Sequence, residues 1–65
     1  MIKPGNLYFY DDGGCKNTWI VLEKNGPDWK ILCIGSNTSA KGTMFIVRPA
    51  NLKNKNKYKL LLEAK

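Results

Sequence analysis

Apolar residues in this chain occur in short runs, and each run is followed by residues that favour turns. Five of these runs have the length of a β-strand. They span residues 6–10, 18–24, 29–35, 43–48 and 58–62. This spacing predicts a small all-β protein, built as a five-stranded barrel or a curled sheet.

The connections between the runs differ in kind. Gly26 and Pro27 predict a tight hairpin, because glycine supplies positive φ and proline ends strand pairing. Residues 11–17 are predicted to form a longer flexible connection, and residues 36–42 a mobile surface loop. Residues 49–52 have the pattern of one short helical turn, with Leu52 filling the core.

Two features have alternatives: which face of the first strand points inward, and whether the last run is a strand or a helix. Leu7 and Phe9 share one face of the first strand, and Tyr8 and Tyr10 share the other. Because a tyrosine hydroxyl tolerates water, we expect the tyrosine face to point outward. Residues 57–65 contain good helix formers, but polar–apolar alternation over residues 57–60 favours a closing strand.

Size and composition limit the class of protein. A chain of 65 residues forms one domain with one core, and a hydrophobic content of 43% is too high for a disordered chain. No apolar run approaches the ~20 residues of a membrane helix, and residues 1–5 show no signal-peptide pattern. We therefore expect a cytoplasmic protein with no membrane partner.

The charge balance indicates an anionic partner. Eleven basic residues against five acidic ones give a net charge of +6, which attracts nucleic acids and acidic proteins. All the basic residues except Arg48 are lysines, which suit phosphate neutralisation better than base reading. The alternative is that these lysines only solvate the surface.

The residues that carry most enzyme chemistry are sparse. Histidine is absent, and Cys15 and Cys33 are too few for a zinc site. We expect Cys33 to be buried, Cys15 to be exposed and the two not to pair. We therefore expect no cofactor, no metal and no enzymatic activity.

Two candidate binding surfaces follow from the aromatic and basic residues. The first combines rings on which bases can stack with nearby positive charges, and its alternative is that the rings pack in the core. Its members are Tyr8, Tyr10, Lys16, Trp29, Lys30 and Lys41. The second is a lysine stripe that an extended chain would place on one side, and its alternative is a solvated edge that prevents aggregation. Its members are Lys53, Lys55, Lys57 and Lys59.

Three short segments resemble the small SH3-like barrels. These are the Lys-Pro-Gly-Asn-Leu opening of residues 3–7, the hairpin of residues 25–28, and residues 47–52 before the last strand. The resemblance implies a five-stranded barrel with a 3₁₀ turn before its last strand. Length and lysine–asparagine content look most like the bacteriophage-encoded members, which would act in the host cytoplasm. Toxin ribonucleases share such barrels, but Arg48 alone does not supply their catalytic site.

Two functions of different class remain. The first is a basic module that binds RNA or DNA through lysines and surface aromatic residues. The alternative is a phage-type accessory protein that binds and modulates an acidic host protein. Self-association through an edge strand, giving a homodimer, is kept as a third alternative because small cores often need it.

Overall fold

The computed structural model describes all 65 residues and contains five strands and one helical turn. In chain order these are β1 (Leu7–Asp11), β2 (Lys16–Asn25), β3 (Asp28–Ser36), β4 (Met44–Val47), α1 (Pro49–Leu52) and β5 (Tyr58–Leu62). The predicted all-β fold is confirmed, and so is the strand, rather than a helix, at the end of the chain. The one helix, four residues long, falls far short of the length needed to cross a membrane.

All five strands form one antiparallel sheet in the order β4-β3-β2-β1-β5. The long central strand β2 pairs with both β1 and β3, and its pairing with β3 shifts register after Thr18 and after Val21. Such bulges bend a strand and increase its twist, which lets the sheet curl around a core. β4 and β5 are left as the two edges.

The core lies on the face of the sheet that carries the tyrosines of β1. Its buried hydrophobic members are Tyr8, Trp19, Val21, Ile31, Cys33, Val47 and Leu52. The prediction that the tyrosine face points outward is therefore wrong, since Tyr8 is only 5% exposed. Tyr8 pairs with Trp19 and meets the Tyr58 ring edge-on. Burial of its large apolar ring therefore decides which way the side chain points, rather than the affinity of its hydroxyl for water.

The helical turn α1 connects the two edge strands. Pro49 occupies its first turn, where the missing N–H is not needed. The Lys53 N–H donates to the Pro49 carbonyl over 3.1 Å, an i→i+4 bond, so the turn is α-helical rather than the expected 3₁₀. Leu52 is buried in the core, as predicted.

A buried asparagine joins the two ends of the chain. The Asn6 amide donates to the Met1 carbonyl over 3.0 Å and accepts from the Ala64 N–H over 2.7 Å. Its backbone carbonyl accepts from the Val21 N–H over 2.9 Å. Every polar group of this fully buried residue is therefore paired, and the bonds fix both termini against β2.

The loop between β1 and β2 is shorter and more ordered than expected. Only residues 12–15 separate the strands, because β1 extends to Asp11 and β2 begins at Lys16. Asn37, from the loop after β3, accepts from the Lys16 N–H over 2.8 Å and donates to the Gly14 carbonyl over 3.2 Å. These bonds tie the two loops together at one end of the sheet.

Candidate binding groove

A small polar groove opens beside α1, between that turn and the ends of β1 and β5. Its volume is about 220 Å³. It is lined by Tyr10, Asn51, Asn54, Lys57 and Tyr58. We call this set the tyrosine groove.

The aromatic part of the groove is built by strand register. Tyr10 and Tyr58 face each other across β1 and β5, and their ring centroids lie 4.9 Å apart with a 52° tilt. Tyr58 also meets the buried ring of Tyr8, at 6.5 Å between centroids and nearly perpendicular. Contact with Tyr8 anchors Tyr58 to the core and leaves the pair half-buried at the groove.

The polar part of the groove comes from the connection between α1 and β5. The Asn54 carbonyl accepts from the N–H groups of Lys57 and Tyr58, over 3.1 and 2.9 Å. The Asn54 side chain accepts from the Asn56 N–H over 3.1 Å. This compact turn is why Asn51, Asn54 and Lys57 reach the same groove.

Both tyrosine hydroxyls at the groove are held protonated at neutral pH. Tyr10 donates to the Asp12 carboxylate over 3.1 Å, and this hydrogen bond raises the pKa of Tyr10. Burial raises the pKa of Tyr58. The pKa of Asp12 is lowered, chiefly because its carboxylate accepts from the N–H groups of Cys15 and Gly14. The phenols therefore offer neutral rings rather than a base.

The residues of the first predicted surface lie in different parts of the structure. Tyr8 is buried and cannot meet a ligand, whereas Tyr10 lines the groove. Trp29 is half-buried near the start of β3, beside the β2–β3 hairpin, and the Lys24 ammonium lies 4.9 Å from its ring centroid. Lys30 forms an ion pair with Glu23 over 3.2 Å.

The two loop lysines of that surface are exposed, but they do not bring it together. Lys16 is the first residue of β2, whereas Trp29 pairs with Lys24 near the other end of that strand. The two side chains therefore lie at opposite ends of the sheet. Lys41 lies in the loop between β3 and β4. A single surface containing all six predicted residues does not exist, because the pairing of β2 separates them.

The predicted lysine stripe is also wrong in its geometry. Residues 53–57 form turns rather than an extended chain, so period-two spacing does not align their side chains. Only Lys59 lies within a strand, β5. Lys53, Lys55, Lys57 and Lys59 are all exposed, and Lys57 reaches the tyrosine groove.

Three groove residues were missed from the sequence. Asn51 and Asn54 look like ordinary turn residues, and Tyr58 looks like one apolar member of the last strand. Their shared role depends on Tyr10 and Tyr58 being register partners. That pairing joins residues far apart in sequence, and no local pattern specifies it.

In comparisons with protein-family models, with curated proteins and with solved structures, no match to this chain was found. The functional assignment therefore rests on the geometry and charge of the molecule itself.

Proposed function

We propose that this protein is a non-enzymatic module that binds single-stranded nucleic acid, with the tyrosine groove receiving a base. The observation that carries the proposal is the Tyr10–Tyr58 ring pair, 4.9 Å between centroids, at a groove with two amides and an ammonium group. Base–aromatic stacking of this kind contributes about 1–3 kcal/mol per base.

The size of the groove favours one base. Pockets for drug-sized ligands have volumes of about 300–1,000 Å³, and this groove, at about 220 Å³, is smaller. The Asn51 side-chain amide carries donors and an acceptor, and Asn54 adds amide donors, since its oxygen already accepts from the Asn56 N–H. These groups match the edge of an unpaired base. A paired base in a duplex would present neither its face nor that edge.

The charge around the groove favours a phosphate backbone. Lys57 lines the groove, and Lys53 and Lys55 are exposed on the same connecting segment. Lysine neutralises phosphate as a point charge and releases counterions when it does so. Together with the net charge of +6, these lysines predict weak sequence preference and strong salt dependence.

Fluorescence anisotropy with labelled single-stranded RNA, single-stranded DNA and duplex DNA tests this function. We expect micromolar binding to the single strands that falls steeply between about 50 and 200 mM salt. Lys57→Glu should weaken it more than Lys41→Glu, which makes the same charge change outside the groove.

Lack of binding to single strands at low salt would contradict the proposal. It would direct the search to an acidic protein partner, whose binding would depend on apolar contacts and persist at moderate salt. Equal losses from Lys57→Glu and Lys41→Glu would leave only a general attraction of charge and would overturn the groove as the site.

A further inference from the structure

A continuous row of apolar side chains crosses the face of the sheet opposite the core. The pairing register aligns one residue from each strand: Leu62, Leu7, Ile20, Leu32 and Met44. Residues directly opposite in a sheet project to the same side, and their neighbours along each strand project to the other. Because Tyr8, Trp19 and Ile31 point into the core, this row points away from it.

Further apolar residues widen this row. Leu22 follows the core residue Val21, Ile34 follows the core residue Cys33, and Ile46 pairs with Lys30 beside the row. Met44 and Leu62, at the two ends of the row, are 59% and 56% exposed. We call these eight residues the outer apolar face.

The outer apolar face is unusual for an antiparallel sheet. Such sheets ordinarily pack one face on the core and present polar residues on the other. Here the charged residues on this side are Lys30, which lies between Leu22 and Ile46 and forms an ion pair with Glu23, and Lys59 on the edge strand β5. Ile34, Met44, Ile46 and Leu62 are exposed and the other four residues are half-buried, so together they form an apolar patch of the kind that marks an interaction surface.

We propose that a second copy of this chain packs on the outer apolar face to form a symmetric dimer. A two-fold axis places the same patch of both subunits in contact, so the interface must be complementary to itself. The five-residue apolar row meets that requirement because it carries no charge, and the ammonium group within the face, that of Lys30, already forms an ion pair with Glu23. The lysines of residues 53–57 lie in the turn before β5, outside this face.

The size of the face is sufficient for a small dimer interface. Five strands spaced ~4.8 Å apart and five residues long at ~3.4 Å each make a face of about 24 by 17 Å. This area, about 400 Å² per copy before side-chain relief is counted, is about half that of a standard interface, so we expect a weak dimer that forms at high protein concentration. The widest dimension of the whole molecule is 28 Å, so the face occupies most of one side.

The small core supplies a reason for such a dimer. Only nine of 65 residues are buried, and the two cysteines are free, so no disulfide supports the fold. Small domains commonly gain stability by oligomerisation. Packing two outer faces together would create a second apolar layer on the other side of the same sheet.

The dimer leaves the tyrosine groove open. Tyr10 alternates with Phe9 along β1 and therefore lies on the opposite side of the sheet from the outer apolar face. The two proposals can consequently fail separately. A dimer that binds no nucleic acid would support the dimer and contradict the groove. A monomer that binds nucleic acid would support the groove and contradict the dimer.

Analytical ultracentrifugation from low micromolar to near-millimolar protein tests the dimer. We expect the wild-type chain to approach twice its 7.4 kDa mass. Met44→Lys and Leu62→Lys, at opposite ends of the row, should each raise the dissociation constant by about tenfold or more, because each buries an unpaired ammonium group. Both sites are exposed in the monomer, and circular dichroism checks that both variants fold.

Ala50→Lys, which adds the same charge at an exposed position in α1, is the matched control and should not change the association. A wild-type chain that remains monomeric throughout would overturn the proposal. So would dissociation by only one of the two row variants, because that would indicate pairing at one sheet edge. Flotation of a monomer with uncharged phosphatidylcholine vesicles, to which a net charge of +6 gives no attraction, would assign the face to a membrane surface instead.

Discussion

Single residues at the start of the chain fix how the two termini meet the sheet. Gly5 has a φ of +92° and donates its N–H to the Val21 carbonyl over 2.8 Å. A Cβ at this position would lie 3.1 Å from the Cβ of Ala64. Gly5 and Asn6 therefore hold the N-terminal turn, β2 and the last residues of the chain in one arrangement.

Gly5→Ala should lower the free energy of unfolding for two reasons. The unfavourable φ costs about 1–3 kcal/mol, and the new methyl group adds to this cost because it crowds Ala64. Urea denaturation measures the change. Gly13→Ala is the matched control, since Gly13 has a φ of +98° and open space around it. Equal losses at the two positions would contradict the close approach to Ala64.

Asn6→Ala should lower the free energy of unfolding by about 2–4 kcal/mol, because the N–H of Ala64 and the carbonyl of Met1 each lose their partner. Asn51→Ala, at an exposed position in α1, serves as the control and should cost much less. Hydrogen exchange at Ala64 should accelerate in the Asn6 variant. An unchanged exchange rate would show that the Asn6 amide does not hold this end of the chain.

At the level of elements, the hairpin between β1 and β2 depends on a carboxylate. Asp12 accepts hydrogen bonds from the Cys15 N–H over 2.8 Å, the Gly14 N–H over 3.1 Å and the Tyr10 hydroxyl over 3.1 Å. These bonds favour the charged form and lower the pKa of Asp12 below its ordinary value of 3.8. The loop is therefore closed by an ionised side chain at neutral pH.

The stabilisation from Asp12 should depend on pH. Since its folded-state pKa is lowered, the stabilisation is complete above about 3.8 and is lost as the pH falls through the folded value. Asp12→Asn should therefore lower the Tm near neutral pH and have less effect near pH 2. Asp28→Asn removes the same charge at the start of β3, beside the β2–β3 hairpin, and is the control. A Tm difference for Asp12→Asn that does not change with pH would contradict this role.

The element boundaries were largely predictable, and the faces were not. Turn-forming residues such as Gly26 and Pro27 act locally, so they indicated where strands end. The inward side of β1 depended on Tyr8 pairing with Trp19, a contact between two strands. The predicted lysine stripe was wrong for a related reason. It required an extended segment before β5, but the Asn54 carbonyl accepts hydrogen bonds that close a turn there. Likeness to the SH3-like barrels remains a prediction.

At the scale of the whole molecule, the two sides of one sheet differ in composition. The inner side carries the core and, at its end, the tyrosine groove with Lys57. The outer side carries an apolar row that crosses all five strands. We propose that the inner side binds single-stranded nucleic acid and that the outer side binds a second copy of the chain.

Tyr10 gives the groove a selective test. Tyr10→Phe keeps the ring and loses only the hydrogen bond to Asp12, so nucleic-acid affinity should change little. Tyr10→Leu removes the ring, and affinity should fall by about 1–3 kcal/mol if one base stacks there. Fluorescence anisotropy at low salt compares the two. Equal losses for both variants would indicate that the hydroxyl, rather than the stacking surface, is used.

The most direct test of the groove is a titration of isotope-labelled protein with short oligothymidine and oligouridine, followed by amide NMR spectra. We predict that the shifts concentrate on Asn51, Asn54, Lys57 and Tyr58, with little change at the hairpin beside Trp29. Shifts centred on that hairpin, or no shifts at low salt, would contradict the tyrosine groove as a nucleic-acid site.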